Sequence, residues 1–271
     1  MITINIESLQ SLIDKRIEKF AGKWSYLIEK RYHDGHEIIA RKENYVHKSA
    51  SMIKVLILAA LCDSTIDFEE KLRIDTVPRV EGGGALQEIN GDAKLTIKSI
   101  ASLMIVLSDN LATNLLINRL GIENIQQYAD KLGLKQTKIQ RYMMDFGAAE
   151  QGKENYLTVS DYNTLLWHIY AKRDLARWKF AWDVLARQQF RDRIPYYWGE
   201  DVIFHHKTGM LDHVEHDGGI YEASDGNMYS IIIFASELPL NCVGGRQMSS
   251  LGWLIFKHLN KTEEQEEKLD D

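Results

Sequence analysis

Ser51 and Lys54, three residues apart, open an otherwise apolar stretch in which Lys54 is the only charged residue from Met52 to Cys62. No polar stripe remains on which an ordinary surface lysine would sit. At the first turn of a helix the two side chains share a face, so an amine can take the proton of the hydroxyl. Burial disfavours a charged lysine and makes the neutral amine available as a base. Backbone N–H groups at the helix start favour negative charge developing on an attacked carbonyl oxygen. The chemistry implied is nucleophilic attack by Ser51 on a carbonyl. Ser-x-x-Lys is common by chance, and a serine here also suits a helix cap. Ser49 has Met52 three residues on where a lysine would be needed, so Ser49 is the cap candidate and Ser51 the nucleophile.

Two further polar clusters stand at element boundaries. Leu103 to Leu107 runs into Ser108-Asp109-Asn110, which by itself reads as a helix end with Asn110 capping a helix from Leu111. Lys207-Thr208-Gly209 closes the run Val202 to His206. A glycine there lets a ligand backbone approach an edge strand, which binds a peptide-like substrate by strand addition.

The elements that must hold these clusters follow from periodicity. An amphipathic helix is expected over Glu7 to Phe20, then strands Trp24 to Arg31 and Glu37 to Ala40 joined through His33-Asp34-Gly35-His36. Helical patterns follow over Ser51 to Leu61, Thr96 to Leu107, Leu111 to Leu120, Ile122 to Leu132 and Thr158 to Tyr170. Strands return at Val202 to Lys207, Gly219 to Ala223 and Met228 to Ser236, the last two joined through Ser224 to Asn227. A closing helix runs from about Gly245 to Leu259. Strands at both ends with helices between imply an α/β (α+β) fold: one antiparallel sheet flanked by the terminal helices, with an inserted all-helical lobe. The expected division is residues 1–48 and 190–271 for the sheet lobe and 49–189 for the helical lobe, with the active site between them. The tail Lys261 to Asp271 reads as a solvated end.

The 271 residues suffice for a substantial core, and a net charge of −6 without any Lys/Arg-rich run disfavours a nucleic-acid partner. The two cysteines, Cys62 and Cys242, read as buried free thiols. No apolar run is long enough to span a membrane, and the amphipathic start lacks a signal peptide's apolar core, so the chain as written reads as cytoplasmic. His205, His206, His213 and His216, with Glu215, invite a metal reading, but no single element aligns all four, and neither metal nor other cofactor is expected.

Ser-x-x-Lys, Ser-Asp-Asn and Lys-Thr-Gly occur here in one order, each in its expected setting of helix start, interhelical loop and strand. That set resembles the class A β-lactamase and penicillin-recognising serine hydrolase family. The likeness extends through Gly84-Ala85-Leu86, Leu103 to Arg119, Arg193-Ile194-Pro195 and His206 to Gly209. It implies a β-lactamase-like fold, usual export, and a serine acyl-enzyme opening β-lactam rings. Ser51 would attack, Lys54 would activate it, Ser108 would pass the proton to the leaving nitrogen, and Asn110 would orient Lys54 and the substrate amide. Lys207 would hold the Ser108 network and attract the substrate carboxylate, which Thr208 would hydrogen-bond beside Gly209. The backbone N–H groups of Ser51 and Met210 would form the oxyanion hole.

Two departures stand out. The family carries a Glu that activates the deacylating water, followed shortly by an Asn; with Arg141 aligned to the loop's opening Arg, those positions hold Met143 and Gly147. Asp145 and Glu150 are the substitute carboxylates. The family's carboxylate-binding Arg has no counterpart on the strand after Lys207-Thr208-Gly209, which leaves Arg246 as the candidate. Three readings remain open: a β-lactamase that turns over, a penicillin-binding or D-Ala-D-Ala peptidase-like acyl enzyme acting on peptidoglycan-like peptides, and a non-catalytic binding descendant of the fold.

Overall fold

Apolar residues at Ile6, Leu9, Ile13 and Ile17 recur at helical spacing, and all four are buried on α1 (Ile6–Ile17). The computed structural model describes residues 6–32, 35–223 and 226–260. The expected turn at His33-Asp34, the turn at Ser224-Asp225 and the tail from Lys261 lie outside the described residues.

After α1 come β1 (Lys23–Tyr32), β2 (Gly35–Arg41) and the two-residue β3 (His47–Lys48). A 3-10 turn at Ala50–Met52 leads into α2 (Ile53–Asp63), followed by β4 (Lys71–Arg73), β5 (Lys94–Thr96), α3 (Ile97–Val106), α4 (Asn110–Leu120) and α5 (Ile122–Lys131). Next are α6 (Phe146–Glu150), β6 (Tyr156–Leu157), α7 (Val159–Ala171) and α8 (Ala176–Leu185). β7 (Phe204–Leu211), β8 (Val214–Glu222), β9 (Met228–Ser236) and α9 (Asn241–Leu259) close the described chain.

The main sheet has the order β2-β1-β9-β8-β7 and is antiparallel throughout. The first strands therefore pair directly with the last ones, as strands at the two chain ends require. Each sheet face carries its own core. Leu27, Ile220, Ile232 and Phe234 pack with α2, α4 and α7, whereas Tyr26, Ile28, Tyr221, Ile231 and Ile233 pack with α1 and α9. Strand alternation produces that division.

Several boundaries differ from expectation. The Ser51 segment is a 3-10 turn ahead of α2 rather than its first α turn, and α9 begins at Asn241, ahead of Gly244 and Gly245, which it absorbs. β8 starts five residues before Gly219, because Glu215, His216 and Asp217 are fully buried and the polar–apolar alternation disappears. α8 lies in a stretch left unassigned by the sequence, although Trp178, Ala181, Val184 and Leu185 bury one helical face. Of the two cysteines expected to be buried, Cys62 is buried and Cys242 is exposed near the start of α9.

Candidate active site

α2 is buried along Ile53 to Cys62, so Lys54 enters the interior with no solvent-facing side available. Its Nζ donates to Ser108 O at 2.5 Å, Asn110 Oδ1 at 2.9 Å and Ser108 Oγ at 3.1 Å. Lys207, equally buried on β7, donates to the same Ser108 Oγ at 3.0 Å and to Thr208 O at 2.7 Å. Among the described residues neither amine bonds a carboxylate. Burial pulls the Lys54 pKa down from 10.5 to about 7 against the upward pull of Asp109. Burial, with Lys54 as a second positive neighbour, holds Lys207 well below its usual range. One hydroxyl between two such amines can donate to one that is neutral and accept from one that is charged, the arrangement a proton relay needs.

Local structure fixes Ser108. It has φ 54°, a left-handed conformation that places both its carbonyl and its hydroxyl on Lys54. The expected cap at Asn110 is instead Asp109, whose Oδ1 accepts from Ala112 N at 2.9 Å. Asn110 is the first residue of α4, and its amide is thereby released to meet Lys54. The other oxygen of Asp109 takes the N–H groups of Ala85 and Leu86 and pins the Gly82–Gly84 loop. A Cβ on Gly84 would come within 2.3 Å of Asp109 Cγ, so only glycine fits there.

The turn carrying Ser51 is held just as closely. Ala50 has φ 45°, and Ser51 beside it is half-buried. Ser49, expected to cap, makes no capping bond; its hydroxyl turns to Ala50 O at 3.2 Å. Gly209 on β7 faces this turn: a Cβ there would lie 3.1 Å from Ala50 Cβ and 3.2 Å from Ser51 N. The glycine thus allows the strand to abut the Ser51 turn. Thr208 beside it is buried, while Met210 is 60% exposed.

The segment from Arg141 to Glu154 is closed by a buried ion pair, with Arg141 Nε 2.8 Å and Arg141 Nη2 2.7 Å from Glu154 Oε1. Asn114, one turn beyond Asn110, clasps Met143 from both sides: its Oδ1 accepts from Met143 N at 2.8 Å and its Nδ2 donates to Met143 O at 3.1 Å. Met143 itself is buried. Asp145 is occupied as the cap of α6, accepting from Ala148 N at 2.9 Å, and Glu150 is exposed at the far end of that helix. Arg246 is exposed in the second turn of α9. Sequence reasoning missed Asn114 and Glu154; the i,i+4 spacing of Asn114 from Asn110 was the available signal for the first.

The four histidines have separate partners. His205 stacks on Trp182, His206 bonds Asp217 at 2.8 Å, His213 meets Leu238 O and His216 meets Lys48 O.

The profile described as "Beta-lactamase enzyme family" matches residues 8–259. The chain belongs to the beta-lactamase enzyme family. Its fold is that of solved relatives. The TLA-3 extended-spectrum beta-lactamase superposes with TM-score 0.85 at 19% identity, over 95% of this chain and 100% of that one. The beta-lactamase from Sphaerobacter thermophilus DSM 20745 gives 0.80 at 22%, over 94% and 97%. A mutant of PBP-A, solved as its acyl-enzyme complex with penicillin G, gives 0.81 at 22%, over 95% and 98%. No curated protein sequence matches the chain.

Proposed function

We propose that this beta-lactamase-family protein is a serine hydrolase of cyclic amides that opens β-lactam rings through an acyl-enzyme on Ser51. The observation carrying this reading is the convergence of Lys54 and Lys207 on the Ser108 hydroxyl. Neutral Lys54 takes the Ser51 proton as Oγ bonds to the lactam carbonyl carbon. The C–N bond then breaks, and the proton passes through Ser108 to the departing nitrogen. Asn110 holds Lys54 and the substrate amide. Lys207 and Thr208 bind the substrate carboxylate, with Arg246 as a further cation. The N–H groups of Ser51 and Met210 take the oxyanion; losing one such donor costs on the order of 100- to 1000-fold in other enzymes. The site lies where the sheet lobe, residues 1–48 and 190–271, meets the helical lobe, residues 49–189.

A second reading, a penicillin-binding or peptidase-like acyl enzyme, is favoured by one observation. Buried Met143 stands where a water-activating Glu is expected, while Asp145 is engaged as a helix cap and Glu150 is exposed. A positioned general base is worth roughly 100- to 10000-fold, so deacylation is the step that suffers. The acyl-enzyme of the PBP-A mutant with penicillin G makes penicillin the probe of choice. Intact-mass spectrometry with benzylpenicillin over time separates the readings. A mass increment of one penicillin that Ser51→Ala abolishes supports acylation. Rapid loss of the adduct with continuing hydrolysis marks a β-lactamase, and a lasting adduct marks the second reading. No adduct and no hydrolysis overturns both.

A further inference from the structure

The segment that presents Ser51 follows a very short strand. β3 is two residues long and, among the described residues, pairs with β6 alone, through His47↔Leu157 and Lys48↔Tyr156. Ala50 sits at φ 45°, a left-handed conformation unfavourable for a non-glycine residue and kept only where the surroundings impose it. Part of that imposition comes from Ser49 N, which donates to Asn155 O at 2.8 Å. An imidazole holds the same segment from the other side. His216, fully buried on β8, is the register partner of Gly209, the residue against which the Ser51 turn packs. Its Nε2 lies 2.9 Å from Lys48 O, three residues ahead of Ser51, and Ala235 N on β9 donates to its Nδ1 at 3.2 Å. The ring is stacked on Phe234 at 4.4 Å and meets the edge of His47 at 5.4 Å, so it cannot swing away. His47 in turn is tied to Ser25 and Ser236.

We propose that His216 is a positioning residue for the acylation reaction: its Nε2–H, bonded to the Lys48 carbonyl, sets the distance between the Ser51 turn and the Lys207-Thr208-Gly209 strand. This rests on the function proposed above. A carbonyl only accepts, so the bond requires the hydrogen on Nε2, which leaves the Nδ1 lone pair for Ala235 N–H. The competing tautomer would put the hydrogen on Nδ1, towards Glu215 O at 2.8 Å, and would leave Lys48 O unserved. Burial keeps the ring neutral by lowering its pKa to about 4.

The test has two arms on the full chain. In the wild type, 15N-histidine NMR at neutral pH should show His216 as the Nε2–H tautomer; an Nδ1–H tautomer overturns the proposal. Acylation by benzylpenicillin is then timed by mass spectrometry in the wild type, His216→Phe and His216→Gln. Phe keeps a stackable ring without a donor, and Gln restores a donor near the Nε2 position. His216→Phe should acylate 10- to 100-fold more slowly, about the penalty of misplacing a reacting group by a fraction of an ångström. His216→Gln should recover most of that rate whether or not its melting temperature matches the wild type. Equal rates in wild type and His216→Phe, or no recovery in His216→Gln, overturn the inference while leaving the acyl-enzyme reading intact. A wild type that forms no adduct overturns both. If His216→Phe does not fold, the tautomer and the His216→Gln rate decide.

Discussion

Lys54 owes its depressed pKa to its position in the fold. Placed on a helix buried on every side and given three oxygen acceptors without a carboxylate, it holds its proton poorly, and its pKa falls to about 7. Acylation of Ser51 should therefore speed up as pH rises through about 7, since the neutral amine is the base. A pre-steady-state acylation rate that is flat from pH 6 to 8 would exclude Lys54 from that role. Stability carries the same signature. Between about 7 and 10.5 the unfolded chain binds a proton at this site that the folded one does not, so stability rises with pH across that window. Lys54→Met should remove that part of the slope in thermal melts taken at pH 7 and 10, and an unchanged slope would assign it to other groups. At this scale the sequence was informative, since a lone charge in an apolar helix already implies a perturbed group. The contribution of Ser108 was not legible in the same way. Its left-handed backbone, which turns both oxygens toward Lys54, has no local sequence signal in a non-glycine residue.

At the element scale, the segment between Arg141 and Glu154 is where the proposed acyl-enzyme would gain or lack a deacylating base. Asn114 fixes the Met143 backbone through both amide atoms, so a carboxylate side chain of similar length installed there starts from a defined Cα. Met143→Glu should supply the missing base and shorten the lifetime of the penicillin adduct by about 100-fold or more, read by mass spectrometry after rapid mixing. If that variant folds and its adduct persists as long as the wild type's, the absent carboxylate is not what limits deacylation. The segment itself depends on its closing ion pair. Arg141→Ala leaves buried Glu154 with only Asn155 N–H and the 3.9 Å approach of Lys48 as partners, a change that should cost up to about 3 kcal/mol, the lower end for broken buried pairs. Denaturant titration should show that loss, whereas a change under about 1 kcal/mol would mean that Lys48 or solvent compensates Glu154. The partnership could not be read beforehand: thirteen residues separate the two, and only the closed loop brings them together. β9, with its clean period, was legible to the residue, and α1 to within three residues at its end. β8 was not, since buried Glu215, His216 and Asp217 imitate a polar loop while each is satisfied by a partner in the fold.

Across the whole molecule the sheet is the common wall of two hydrophobic cores. Ile232 on β9 belongs to the core shared with α2, the helix that carries Lys54, and Ile233 beside it belongs to the core shared with α1 and α9. Both are fully buried. Truncating either to alanine removes apolar contacts and leaves a cavity, at a cost of roughly 2 to 5 kcal/mol. Because β9 hydrogen-bonds to both β1 and β8, at the centre of the sheet, neither core can come apart without losing the strand that completes the other. Ile232→Ala and Ile233→Ala should therefore lower one and the same calorimetric transition, with calorimetric and van't Hoff enthalpies that agree in each variant. The same coupling ties the site to the remote core, since β7 with Lys207 hangs on β8 and the Ser51 turn packs against β7. A melt that splits into two transitions in either variant, with penicillin labelling of Ser51 surviving the first, would show instead that the sheet's outer core and the catalytic face unfold independently.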